Sequence, residues 1–148
     1  MKNTAFKIVT PTTSQDFEKY FQLRWEVLRK PWNQHKGTEQ DDLEHSCFHK
    51  MILSDDDRVV ACGRLQFNNE VEGQIRYMAV DGDFQGNGLG SLILEQLEVI
   101  AKENARKYIV LQARENALSF YKNNGYHEIE KSFLLYDNIQ HYLMRKEL

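Results

Sequence analysis

The apolar positions of this chain change period repeatedly, and each change predicts an element. Residues 5–10 alternate, with Phe6 and Ile8 set against Ala5, Lys7 and Val9, which predicts a short strand ended by Pro11. Phe17, Tyr20, Phe21, Arg24 and Leu28 then recur at helical spacing. Ser14 is the expected N-cap of that helix, Asp16 and Glu18 lie in its first turn, and Pro31 stops it. Residues 30–42 show no period and carry Pro31, Trp32, Gly37 and Thr38, so they predict a loop long enough to suggest a role in function. Residues 47–53 and 58–67 read as two strands joined by an aspartate-rich turn, and a second turn at Asn68-Asn69-Glu70 leads to a strand over 74–80. Leu89, Leu92, Ile93, Leu97, Ile100 and Ala101 predict the next helix, and residues 107–113 a further buried strand. A short helix follows, capped by Asn116 and ended by Gly125, with Ala117, Phe120 and Tyr121 on one face. Residues 128–135 and 139–148 close the pattern as two strands around Asp137-Asn138. This order predicts one α/β (α+β) domain over 1–148, with a mixed, mostly antiparallel sheet.

The organising stretch is the junction between strand 74–80 and the helix after it. It reads Asp81-Gly82-Asp83-Phe84-Gln85-Gly86-Asn87-Gly88-Leu89-Gly90-Ser91. A glycine-rich turn into a helix start exposes unpaired N–H groups at the positive end of the helix dipole, the ingredients of a phosphate cradle. Three familiar motifs do not fit it. A dinucleotide fingerprint needs glycine where Ser91 stands and an acidic residue where the chain reads Ile109-Val110-Leu111. A Walker loop needs a lysine that is missing, and a calcium loop starting at Asp81 would need glutamate where Leu92 stands.

Composition narrows the class. A chain of 148 residues with 41% hydrophobic and 28% charged residues can bury its own core. A formal net charge of −3 argues against a general nucleic-acid binder. Cys47 and Cys62 make no disulfide framework, and no run of apolar residues is long enough for a membrane span, so a cytoplasmic protein is expected.

Gln85, Gly88 and Gly90, directly after a strand, satisfy Q/R-x-x-G-x-G/A, which resembles the acyl-CoA signature of the GNAT superfamily of N-acyltransferases. Downstream, Asn116, Phe120, Tyr121, Gly125 and Tyr126 resemble that superfamily's second signature, N-x-x-(A/S)-x-x-F-Y-x-x-x-G-(F/Y). The two occur in the family's order, and the likeness covers roughly residues 45 to 145 and, more loosely, the N-terminal helix. It implies a single-domain GNAT fold whose central parallel strands, 74–80 and 107–113, splay into a V. It also implies acetyl-CoA as co-substrate, with no metal, and acetyl transfer to a primary amine of a small molecule or peptide by direct attack through a tetrahedral intermediate. Nucleic acid and membrane partners are not expected, and either a monomer or a homodimer is compatible. A non-catalytic acyl-CoA-binding module is the alternative.

Carried onto this sequence, the resemblance implies that pantetheine runs along Met78, Ala79 and Val80, and that the pyrophosphate sits on Gln85, Gly86, Asn87, Gly88, Leu89, Gly90 and Ser91. Asn116, Ser119 and Tyr121 complete the cofactor side, with the Tyr121 hydroxyl as the acid for the departing thiolate.

The base is less legible. Gln74, an amide, stands where many relatives carry a glutamate, and Glu72 lies two residues away. His45, Cys47 and His49 would share one strand face, but they lack a fourth ligand and the usual spacing for zinc. His49 is the expected base or water-organiser, ahead of His45 and Glu44. Glu39, Asp41, Asp42 and Glu44 in the long loop predict a negative field that favours cationic amines, with Trp32, Glu44 and His45 contacting the acceptor.

Overall fold

The structure is a computed structural model and describes residues 5–148. Among these, seven strands form one sheet: β1 Lys7–Val9, β2 Phe48–Leu53, β3 Val59–Phe67, β4 Glu72–Val80, β5 Tyr108–Arg114, β6 His127–Leu135 and β7 Ile139–Glu147. They lie in the order β1-β2-β3-β4-β5-β7-β6, antiparallel throughout except for the β4–β5 pair. Three α-helices accompany the sheet: α1 Ser14–Leu28, α2 Leu89–Glu103 and α3 Leu118–Asn123. None is long and apolar enough to cross a membrane.

Alternation along the strands divides the core between the two faces. Ile52, Val60, Ala61 and Leu65 pack with Ile93, Leu94, Leu97 and Ala101 of α2. Their strand neighbours Met51, Val59 and Cys62 pack with Tyr20 and Leu23 of α1. Most of β3 is therefore buried on both sides, while β6, paired only with β7, is exposed along nearly its whole length.

Three local expectations change. Thr13, not Ser14, caps α1, because its side chain accepts from Asp16 N–H while the Asp16 carboxylate accepts from Thr13 N–H. That reciprocal box needs an acidic residue at the third helical position, which Thr13 has and Ser14, followed by Phe17, does not. Asn116 caps nothing, since a 3₁₀ turn, Glu115–Ala117, leads into α3 and supplies the Glu115 carbonyl to Leu118 N–H. Leu92, placed by periodicity on the core stripe of α2, is exposed.

Two irregularities in β4 shape the site. Cys62 faces Ala79 and Arg64 faces Arg76, so Gly63 alone opposes both Tyr77 and Met78, a β-bulge. Tyr77 takes φ +57°, an uncommon backbone for a bulky residue. On the other edge, β4 pairs with β5 only from Glu72 to Ile75. Beyond Ile75 the two strands part.

Candidate active site

At the start of α2 the loop is held open by backbone geometry. Gly86 and Gly88 adopt φ +84° and +73°, and a Cβ built on either would meet nothing within 4 Å. Glycine is required here by conformation, and the space over the backbone stays free. The first intrahelical bond runs from Leu92 N–H to Gly88 O, so the amides of Leu89, Gly90 and Ser91 have no helical acceptor. Gly90 is glycine for another reason, since a Cβ there would lie 2.8 Å from the ring of Phe120. The two sequence signatures thus touch, with an aromatic ring of the second seated on a glycine of the first. This cradle fits a pyrophosphate: free amides, an open surface and a helix N-terminus.

The gap between β4 and β5 leads from this cradle into the molecule. Asp81 N–H donates to Val60 O on the β3 side. Alternation then turns the amides of Val80 and Met78 toward the open edge, where an extended ligand can pair with them as an added strand. Ala79 instead faces Cys62 across the closed edge.

A cavity of about 430 Å³ opens where the strands diverge. Its walls include Leu28 and Arg29 from the end of α1, Gln74 to Met78 of β4, Arg114 and Tyr121, and Phe133, Leu135 and His141 from β6 and β7. Tyr121 is 8% exposed, and its hydroxyl makes no hydrogen bond to another described residue. Burial pushes this phenol well above its usual pKa, against the pull of nearby Arg114, so it stays protonated and able to donate. His141 stands opposite Arg114 in the β5–β7 register and stacks on Phe133 at 4.4 Å. Burial, together with Arg114 and Arg29, lowers its pKa, so the ring is neutral. Nδ1 lies 3.0 Å from the Ile139 carbonyl and must carry the proton, which leaves the Nε2 lone pair as the acceptor.

The acetyltransferase (GNAT) family model matches residues 17–126, spanning both signatures and the parted strands. The chain belongs to the GNAT family. It is 27% identical over 141 residues to the uncharacterized N-acetyltransferase YjcF of Bacillus subtilis (strain 168), covering 95% of this chain and 99% of that protein. The fold is similar to that of a GNAT-family acetyltransferase from Staphylococcus aureus Mu50, with a TM-score of 0.79, 20% identity and coverage of 97% and 99% of the two chains. It is also similar to a GNAT-family acetyltransferase from Elizabethkingia anophelis solved with acetyl-CoA bound, with a TM-score of 0.70, 15% identity and full coverage of both chains.

Within this GNAT domain, several residues singled out by sequence lie away from the cavity. His49 is buried and neutral, its pKa lowered chiefly by burial. Its Nε2 is 2.7 Å from the Glu44 carbonyl and its Nδ1 2.8 Å from the Tyr20 hydroxyl, so neither nitrogen is free to take a proton. His45 sits in a 3₁₀ turn, Glu44–Ser46, and not on a strand, so it shares no face with His49. Among the described residues, no group of three His, Cys, Asp or Glu side chains is placed to hold a metal. Trp32 makes no wall of the cavity, and the tryptophan that faces cations is Trp25, 5.1 Å from the Lys36 ammonium.

The acidic loop is largely neutralised from within. Asp41 accepts two bonds from Arg64, at 2.7 and 2.9 Å, and lies 3.3 Å from Arg76; Arg64, first among several causes, holds its pKa at about 2. Glu44 pairs with Arg24 at 2.8 Å and with Arg64 at 2.9 Å. Glu39 is buried and accepts from Gly37 N–H and the Gln40 amide. Two of the four carboxylates, Asp41 and Glu44, are thus taken up in ion pairs, Glu39 is buried on neutral donors, and Asp42 is the loop carboxylate left exposed. Arg29, Arg114 and His141 were not legible as site residues, because their convergence depends on contacts between segments far apart in sequence.

Proposed function

We propose that this protein transfers an acetyl group from acetyl-CoA to a primary amine of a small molecule or peptide. One arrangement supports this reading most strongly. The open edge of β4 runs from a cradle of free amides to a cavity in which the Tyr121 hydroxyl has no hydrogen-bond partner among the described residues. Met78 and Val80 would align the pantetheine arm, and the amides from Gln85 to Ser91 would hold its pyrophosphate. Exposed Asn116 and Ser119, on the turn before and the first turn of α3, would border the same arm.

The amine nitrogen attacks the thioester carbonyl carbon, and a free strand amide beside the gap stabilises the oxyanion that forms. The C–N bond is then complete, the C–S bond breaks, and Tyr121 donates its proton to the sulfur. The proton lost by the amine goes to His141 Nε2 or to water, and solvent later restores Tyr121. Holding both reactants in one cleft contributes most of the acceleration, up to about 7–11 kcal/mol for well-oriented groups.

The test is calorimetry with acetyl-CoA, followed by thiol release in the presence of amines. Gly88→Trp should abolish binding, because φ +73° is strained for any L side chain and the indole would cover the amides. Unchanged affinity in folded Gly88→Trp would overturn the cradle. Binding without amine-dependent thiol release would make the protein an acyl-CoA binder instead.

A further inference from the structure

The charge inside the cavity does not suit a cationic acceptor. Its walls carry Arg29, Arg76 and Arg114, and no carboxylate. Arg76 shares Asp41 with Arg64, but Arg29 and Arg114 contact no carboxylate among the described residues. Both donate to one acceptor, the Leu28 carbonyl at the end of α1, from Arg29 Nη1 at 3.1 Å and Arg114 Nη2 at 3.2 Å. Arg29 Nε adds a bond to the Thr38 carbonyl at 3.0 Å, and the remaining donors of both forks meet no acceptor among the described residues. Two guanidinium groups are thus drawn together over a single neutral oxygen in a half-buried wall. Burial first, and then the repulsion from Arg29, weighs against the charge on Arg114. An oxyanion between them would relieve that repulsion and take charge-assisted, fork-shaped bonds.

We propose that the acceptor is an amine bearing a carboxylate or phosphate close to its amino group, and that Arg29 and Arg114 hold this oxyanion in the cavity. The proposal rests on the acyltransferase reading and names its substrate class. Arg114 faces His141 across the β5–β7 ladder. An anion on Arg114 therefore sets a neighbouring amine beside Nε2, within the cavity that also holds Tyr121. A volume of about 430 Å³ suits a molecule the size of an amino acid or short peptide end once the thioester has entered.

The experiment follows thiol release from acetyl-CoA with acceptors matched in all but charge. Amino acids are compared with their amides, phosphoethanolamine with ethanolamine, and spermidine serves as the cationic control. The expected result is a preference for the anionic member of a pair, and the pair showing it separates carboxylate from phosphate. Arg114→Gln should raise KM for that acceptor by about tenfold or more and bring the matched pair toward equality. Arg29→Glu, at the other arginine of the pair, should reverse the preference if Arg114→Gln fails to fold. Acetyl-CoA affinity, read by calorimetry, should persist in both variants. Binding of acetyl-CoA with amides, ethanolamine or spermidine as the faster acceptors overturns the anion site alone. So does binding with no anionic amine raising release above background. Failure of acetyl-CoA to bind overturns the acyltransferase reading, and with it the substrate class.

Discussion

Two sets of one histidine and two arginines lie on different sides of this molecule and have opposite fates. Arg24 and Arg64 are fully buried, stack on Tyr77 with guanidinium carbons 4.2 and 4.9 Å from the ring centre, and end on Glu44 and Asp41. His49, beside them, has both nitrogens engaged. Arg29, Arg114 and His141 line a cavity, and among the described residues their side chains hydrogen-bond only to backbone carbonyls, with donors or a lone pair left over. The first set is structure: it braces the bulge at Tyr77, whose strained backbone costs on the order of 1–3 kcal/mol. The second is poised for a ligand. Residue type alone does not separate the two; the partners do.

The largest effect should come from unbalancing the structural set. Glu44→Ala leaves Arg24 without its carboxylate in a dry interior and should cost about 3–5 kcal/mol in urea unfolding, because an uncompensated buried charge remains. Arg29→Ala should cost no more than about 1 kcal/mol, as expected of a half-buried group that leaves no carboxylate unpaired among the described residues. Equal costs would erase the distinction.

Next in size is the proposed proton donor. Tyr121→Phe should lower kcat about 10²-fold with acetyl-CoA affinity retained, within the usual range for loss of an acid. An unchanged rate would reduce Tyr121 to a packing aromatic, with water protonating the thiolate.

The two histidines offer a finer separation. A base must be neutral to accept a proton, and burial, Arg114 and Arg29 place the pKa of His141 below the ordinary 6.5. In a kcat/KM profile the rising limb from this base should lie below pH 6.5, apart from the acceptor's own deprotonation at about pH 8 or above. His141→Gln should remove that limb and lower the rate about tenfold or more. His49→Gln should keep it, despite any loss of stability. A limb that survives His141→Gln would assign the base to water.

The smallest effect concerns acid. The carboxyl of Asp41 is depressed from 3.8 to about 2, so its contribution to stability is complete above pH 3.8 and is lost as pH falls through 2. Unfolding followed between about pH 4 and 2 should show this loss, and Asp41→Asn should flatten the slope in that window. A slope identical to the wild type would mean that the Arg64 pair does not persist in solution.

The glycine loop shows why part of the site can be read from sequence. Its proposed function rests on backbone amides, and their geometry follows from glycine spacing within seven contiguous residues, 85–91. The strand pattern was legible for the same local reason, so most elements fall within a few residues of expectation. The caps were misread where two adjacent residues, Thr13 and Ser14, could both serve and the acidic partner decided between them. The bulge at Tyr77 carries no composition signal, because the extra residue exists only in relation to Gly63 on the neighbouring strand.

Charge was where local inspection misled. Four acidic residues within six positions look like a negative surface until Arg24, Arg64 and Arg76, from one helix and two strands, reach two of them, Asp41 and Glu44. The sequence by itself determined the donor side of this protein: strand, glycine turn, helix start and the tyrosine that follows them. Tertiary structure alone decided the proposed acceptor side, by closing Leu28 and Arg29 against Arg114 and His141 and by pairing Asp41 and Glu44 with buried arginines. A backbone cradle is built from neighbours in the chain, whereas an electrostatic environment is a sum over everything the fold brings near, and no short stretch of residues contains that sum.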